Sequence, residues 1–227
     1  MKAVVLLSGG LDSATAAAVA REEGYELYAL TFLYGQRHAV EVAAARQVAN
    51  ALGIESHLSF ELPQGKNIWG SSVLVGDGTV PKGIEAERLR KQIPPTYVPA
   101  RNIIFLSIAT AYAEAIGARD IFIGVNAVDY SGYPDCRPEF IDAFQQMIEV
   151  GTKAGLSERP IYIRTPLIHL SKAQIFGKAT ALGLDHTLTH SCYDPMQDGT
   201  ACGECDSCNI RNTGFAEYNS KKGNGSK

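Results

Sequence analysis

Short apolar runs alternate with stretches of helical period along most of this chain, and that alternation restricts its fold more than any other feature. Ala3 to Leu7 is a continuous apolar run, the pattern of a strand buried on both faces. Ser13 to Glu23 is alanine-rich and predicts a helix that Gly24 stops. Glu26 to Phe32, Glu55 to Phe60, Asp120 to Gly124 and Ile161 to Thr165 predict further strands. His38 to Leu52, Asn102 to Ile116, Pro138 to Thr152 and Lys172 to Leu182 predict further helices, with Pro138 placed to open its own. Parallel strands need a helical crossover between them, so the pattern implies an α/β fold, a doubly wound parallel sheet of about five strands. Right-handed crossovers gather the loops that follow the strands at one edge, where ligands bind.

The 227 residues suffice for one such domain and a small appendage. The α/β pattern occupies 1–185, a cysteine-bearing helical segment follows over 186–218, and the polar stretch 219–227 predicts a frayed tail. A net charge of −3 tilts against a protein that lives on nucleic-acid backbone, because phosphate contacts need a basic surplus. The apolar run after Met1 and Lys2 is too short for a signal-peptide core. The most apolar later stretch, Ile103 to Ile116, is broken by Ser107, Thr110 and Glu114 and is shorter than a membrane span. These features predict a cytoplasmic protein with no membrane partner, whose five cysteines stay reduced.

The first strand runs directly into Ser8-Gly9-Gly10-Leu11-Asp12-Ser13, which opens the first helix. Glycines let the backbone turn tightly and aim several N–H groups at one point, and the helix N-terminus behind them favours an anion. The hydroxyls of Ser8 and Ser13 add donors, whereas the Asp12 carboxylate would repel phosphate unless it holds Mg²⁺ or caps the helix. A Walker-type loop and a dinucleotide-binding glycine fingerprint are both absent, since Gly177-Lys178 is followed by Ala179. The Ser8 to Ser13 segment resembles the loop of the N-type ATP pyrophosphatases (the PP-loop superfamily, with its adenine nucleotide alpha hydrolase-like fold). That resemblance implies attack at the α-phosphorus of ATP and release of pyrophosphate.

Cys192, Cys202, Cys205 and Cys208 are spaced C-x9-C-x2-C-x2-C. Linked C-x2-C steps form a tight knuckle, and the upstream thiolate completes a tetrahedron. An iron–sulfur cluster would favour a further cysteine followed by proline downstream, which is lacking, so structural Zn²⁺ is the preferred ligand. Cys136 stands apart and reads as a small buried hydrophobe. The glycine- and proline-rich stretch from Leu62 to Pro99 interrupts the strand–helix rhythm and is long enough to be a lid or substrate loop.

Four other polar segments fall at strand ends. They are Tyr34-Gly35-Gln36-Arg37-His38, Pro99-Ala100-Arg101-Asn102, the run from Gly124 to Phe140, and Thr165-Pro166-Leu167 with Ser171-Lys172. Arg101 and Lys172 suit phosphate oxygens, Asp129 and Asp135 suit the amide edge of a purine-like ring, and Tyr130 or Tyr133 can stack on it. His38 is a candidate for proton transfer. Together with the loop and the cysteines, these segments resemble the 7-cyano-7-deazaguanine synthases of queuosine biosynthesis from Ser8 to about Tyr218. The resemblance implies a ligase that takes 7-carboxy-7-deazaguanine, ammonia and ATP with Mg²⁺, holds one Zn²⁺ per chain, and forms a homodimer. Asp12, Lys172, Arg101 and His38 would then serve catalysis, and Ser8, Gly9, Gly10, Leu11, Asp12 and Ser13 would bind the nucleotide. Tyr34, Gln36, Arg37, Asp129, Tyr130, Tyr133, Asp135 and Arg137 would bind the substrate. The alternatives are a PP-loop tRNA thiolase, or a zinc-knuckle nucleic-acid binder on an inert ATP fold. The acidic balance and the commitment of four cysteines to metal weigh against the thiolase.

Overall fold

A computed structural model describes residues 1–36, 40–62, 65–83, 92–129 and 132–224. Its sheet has five strands in the order β3-β2-β1-β4-β5, every neighbouring pair parallel. They are β1 Lys2–Leu6, β2 Glu26–Leu33, β3 Ser56–Glu61, β4 Asp120–Phe122 and β5 Tyr162–Arg164. The helices are α1 Leu11–Glu22, α2 Val40–Ala51, α3 Gly65–Trp69, α4 Arg101–Ile116, α5 Pro138–Gly151, α6 Lys172–Ala181 and α7 Asp206–Asn224. No helix among the described residues is long and apolar enough to cross a membrane.

The central strand explains why its sequence is apolar throughout rather than alternating. Ala3, Val5 and Leu7 face a layer built from α1, α2 and α6, with Ala45, Val48, Ile175 and Phe176 in it. Val4 and Leu6 face the opposite layer, where Leu106 and Ala109 of α4 meet Ile141, Phe144 and Ile148 of α5. Both faces are buried, and each fully buried aliphatic side chain contributes roughly 1.5–3 kcal/mol. Alanines let α1 seat closely on the sheet, and Ala14, Ala16, Ala17, Ala18 and Ala20 are all buried. The edge strand β3 is partly exposed along its length, which its mixed sequence anticipates.

The crossovers from β1 to β2 and from β2 to β3 carry α1 and α2 on one face, while α4 and α5 flank β4 on the other. The winding therefore reverses between β1 and β4, and a crevice opens at their carboxyl ends. Gly124, just past β4, forms one wall of it. A Cβ there would lie 2.6 Å from the carbonyl carbon of Asp12 and 2.7 Å from the Ser13 nitrogen, so only glycine lets β4 approach the start of α1.

The structure adds to the sequence-based expectations in three places. The described residues of the 62–99 insertion include α3 and contribute to the core, with Trp69, Leu74, Val75 and Val80 buried. The 186–218 segment shares its core with the sheet, since Cys192, Cys205 and Cys208 belong to the same apolar cluster as Val4 and Leu6. The expected frayed tail begins too early at 219, because α7 continues to Asn224.

Gly124→Ala should destabilise the fold by about 1–3 kcal/mol, through the backbone shift needed to admit a methyl group. Gly151→Ala, at the end of α5 with open space around it, should be neutral or stabilising by up to about 1 kcal/mol. Urea unfolding of the two variants against the parent chain measures the difference.

Candidate active site

The loop between β1 and α1 is shaped by its own hydroxyls. The Ser8 N–H donates to Ser13 Oγ (3.1 Å), Ser13 Oγ donates to the Gly10 carbonyl (3.0 Å), and the Gly10 N–H donates to Ser8 Oγ (3.3 Å). Gly9 adopts φ +90°, and a Cβ on it would lie 2.3 Å from the carbonyl oxygen of Glu41. The loop turn is therefore pressed against the first turn of α2. Leu11, Asp12 and Ser13 then start the helix with N–H groups that have no carbonyl within it to bond. These amides, at the positive end of α1, face a cavity of about 230 Å³.

Asp12 does not cap α1. The N-cap is Gly10, without a side-chain bond, and both Asp12 oxygens accept from Lys172 Nζ at 2.7 Å. Lys172 stands at the first position of α6, whose start is fixed by a capping box between Ser171 and Gln174. Its side chain is buried, with Asp129 Oδ2 3.9 Å away. Asn126 organises the same corner: its Nδ2 donates to Asp129 Oδ2 (3.0 Å) and to the Leu170 carbonyl (2.7 Å).

Arg101 enters from the other side, at the start of α4. The residue before it, Ala100, is left-handed at φ 56°, a conformation that costs a non-glycine residue about 1 kcal/mol or more. The surroundings hold it there. Trp69 Nε1 donates to the Pro99 carbonyl (2.7 Å), the Ala100 N–H donates to the Tyr97 hydroxyl (3.2 Å), and Asp135 Oδ2 accepts from the Asn102 N–H (3.1 Å). The Arg101 guanidinium donates to the Tyr34 hydroxyl at 3.5 Å. Burial works against its charge, but Tyr34, Asp135, Tyr193 and Cys136 outweigh that and hold its pKa above the ordinary arginine value.

Of the residues singled out from sequence, the structure brings Ser8, Gly10, Leu11, Asp12, Ser13, Tyr34, Gln36, Arg101, Tyr133 and Lys172 to one cavity. Gly9 supports the turn from behind. Gln36 spends its amide on the end of β2, accepting from the Tyr34 N–H (2.7 Å) and donating to the Phe32 carbonyl (3.0 Å). Three residues expected at the substrate are not in the lining. Asp129 stands behind Lys172 and Asn126, Asp135 is buried as the anchor of α4, and Arg137 is exposed at the N-cap of α5. Arg37, His38 and Tyr130 lie outside the described residues.

Glu41, Phe105, Asn126, His190, Ser191 and Tyr193 also line the cavity and were not picked out from sequence. Their signal is weak: Glu41 sits in an ordinary helical pattern, and Ser191 and Tyr193 merely flank Cys192. Glu41 is chemically distinct. Burial pushes its carboxyl up to about 7, with Arg101 pulling the other way. Cys136, also in the lining, has its thiol pushed up to about 12 by burial and by Asp135, which makes it a poor nucleophile.

Beside this cavity the Sγ atoms of Cys192, Cys202, Cys205 and Cys208 lie within 4.8 Å of one another. The Cys192 and Cys202 sulfurs are 3.5 Å apart, too far for a disulfide and suited to two ligands of one ion. Backbone N–H groups of Tyr193, Asp194, Cys202, Glu204 and Cys205 donate to these sulfurs, which favours thiolates. The donor set fits a structural metal. The insertion is tied to it: Lys82 forms an antiparallel bridge to Cys205, and Lys82 Nζ lies 3.5 Å from Asp194 and 3.6 Å from Glu204.

A family model described as "Queuosine biosynthesis protein QueC" matches residues 2–219. The chain belongs to the QueC family. Among QueC relatives, the 7-cyano-7-deazaguanine synthase of Syntrophus aciditrophicus is 59% identical over 217 residues, covering 95% of this chain and 93% of that protein. The protein of the same name from Desulfatibacillum aliphaticivorans is also 59% identical, over 95% of this chain and 92% of its own. The fold extends beyond QueC proteins: an NMN synthetase structure from Francisella tularensis superposes with a TM-score of 0.50 at 15% identity, covering 97% of this chain and 86% of the other.

Replacing Cys205 with serine should abolish binding of the metal and lower stability by several kcal/mol, because metal-binding free energy in such a knuckle is folding free energy. Elemental analysis with thermal unfolding checks it. Retained metal at full occupancy would show that Cys205 is not a ligand.

Proposed function

We propose that this chain converts 7-carboxy-7-deazaguanine and ammonia into 7-cyano-7-deazaguanine at the expense of ATP. The observation that carries this reading is the glycine loop at the switch point, opening on the cavity that Arg101 and Tyr34 share, in a chain matched to QueC from residue 2 to 219. Turning a carboxylate into a nitrile removes two oxygens, neither of which leaves as hydroxide near neutrality. Each becomes a leaving group if it first attacks the α-phosphorus of ATP. The acid is adenylated, ammonia displaces AMP to give the amide, the amide oxygen is adenylated in turn, and elimination of AMP gives the nitrile.

In this scheme the amides of Leu11, Asp12 and Ser13 receive the pyrophosphate, and Arg101 stabilises the charge that develops on it. Ser8, Gly9 and Gly10 set the loop's curvature. Lys172 acts chiefly through Asp12, holding the carboxylate that would bind Mg²⁺, and Mg²⁺ supplies charge neutralisation when ATP is present. The deazaguanine ring lies against Tyr34, Phe105 and Tyr133, while Asp129 and Asp135 support the lining from behind. Residues 1–185 form the nucleotide-binding unit, and 186–218 add a Zn²⁺ knuckle as its wall. Four thiolates with no open position suit zinc in a structural role. A homodimer in the cytoplasm completes the reading. A thiolase is disfavoured, because four cysteines are gathered in the knuckle and the thiol of Cys136 resists ionisation.

Because acid and amide share the ring, one pocket orients both reacting oxygens toward the same phosphorus. Supplied with the 7-carboxamide, ATP and Mg²⁺ but no ammonia, the protein should form the nitrile and release one AMP and one pyrophosphate per turnover, as read by mass spectrometry. Release of ADP, or failure to process the amide, would overturn the scheme.

A further inference from the structure

Amide formation needs a proton acceptor for the incoming nitrogen, and His38, the candidate that the sequence offers, lies outside the described residues. Ammonia reaches a protein near neutral pH mainly as ammonium, which has no lone pair to attack with. We propose that the Glu41 carboxylate receives ammonium in the cavity and accepts its proton, freeing ammonia to attack the adenylate. The proposal rests on the reaction just described. In the step, nitrogen bonds to the carbonyl carbon and the bond from that carbon to the AMP oxygen breaks, its electron pair leaving on the phosphate. One proton passes from ammonium to Glu41, and the second leaves the adduct with the phosphate of AMP.

The geometry singles out Glu41. Among the described residues lining the cavity, the carboxylates are Asp12 and Glu41. Asp12 already accepts from Lys172 with both oxygens. Glu41 begins at the loop itself, since its backbone carbonyl abuts Gly9 so closely that a Cβ there would be 2.3 Å away. Glu41 thus sits against the glycine loop and lines the same cavity as Arg101. Among the described residues, the charged and titratable groups acting on it are Arg101 of α4 and Tyr34 after β2. Its raised value, about 7, lets it hold a proton yet be ionised in much of the protein at neutral pH.

The test separates adenylation from amide formation. Wild type, Glu41→Gln and His190→Asn are compared in acid-dependent exchange of labelled pyrophosphate into ATP without ammonia, and in amide formation with ammonium chloride between pH 6 and 9. Wild type should show exchange, and its amide formation should level off above about pH 7, where Glu41 is ionised. Glu41→Gln should keep exchange within about threefold while amide formation at pH 7 falls about 100-fold or more. Its residual rate should rise steadily with free ammonia toward pH 9, a rescue that a merely structural defect would not give. Folding is checked independently. The folded value lies above the free value of 4.5, so ionising Glu41 costs stability as pH rises through that interval. The variant should therefore melt no lower than wild type at pH 8.

Amide formation within threefold of wild type, equal loss of exchange and amide formation, or a larger loss in His190→Asn would each overturn the role of Glu41. Absence of exchange in wild type would instead remove the adenylation reading, and the proposal with it.

Discussion

The ion pair between Lys172 and Asp12 is the interaction on which the site depends. It joins the start of α1 to the start of α6, elements separated by most of the chain, with 2.7 Å contacts to both carboxylate oxygens. Lys172 is buried, and a buried ammonium without a partner would cost several kcal/mol. The loop, the Ser171 capping box and the Asn126–Asp129 corner must therefore assemble together. A cavity built this way places Asp12 without relying on a mobile side chain. Among the described residues that line the cavity, Arg101 is the other cation beside Lys172, whose charge is already engaged by Asp12.

A second dependence runs through the wall of the cavity. The cysteine knuckle contributes Cys192 to the lining and flanks it with Ser191 and Tyr193, and the insertion joins the knuckle through the Lys82–Cys205 bridge. The insertion also holds the strained turn that delivers Arg101, since Trp69 bonds the Pro99 carbonyl. The cysteine cluster and the turn that precedes Arg101 thus pack on the same insertion.

Much of the framework was legible in the sequence because it is decided locally. The apolar run at Ala3 to Leu7, the alanines of α1 and the helix stop at Gly24 all report burial or backbone geometry that short-range pattern encodes. The loop and the cysteine spacing were legible for the same reason. What pattern could not supply was the direction of individual polar side chains. Gln36 turns back onto β2, Asp135 turns to the N-terminus of α4, and Arg137 stays in solvent, although all three stand at the ligand edge. Glu41 does the reverse. It occupies an unremarkable helical position and becomes a cavity residue only because α2 docks against Gly9. The run of α7 past 219 escaped notice because its polar composition resembles a tail, while its stability comes from packing on α6, with Phe215 5.1 Å and Tyr218 6.4 Å from Phe176.

The proposed reaction requires that carboxylate oxygens leave on the α-phosphorus of ATP. Acid carrying ¹⁸O in both carboxylate positions, turned over with ATP and ammonia, reads that event directly. Two AMP molecules should form per nitrile, each with one ¹⁸O in its phosphate, and neither water nor pyrophosphate should carry label. Label in water or in pyrophosphate would mean that the oxygens depart by another route, and that the cavity between the glycine loop and Arg101 does different chemistry.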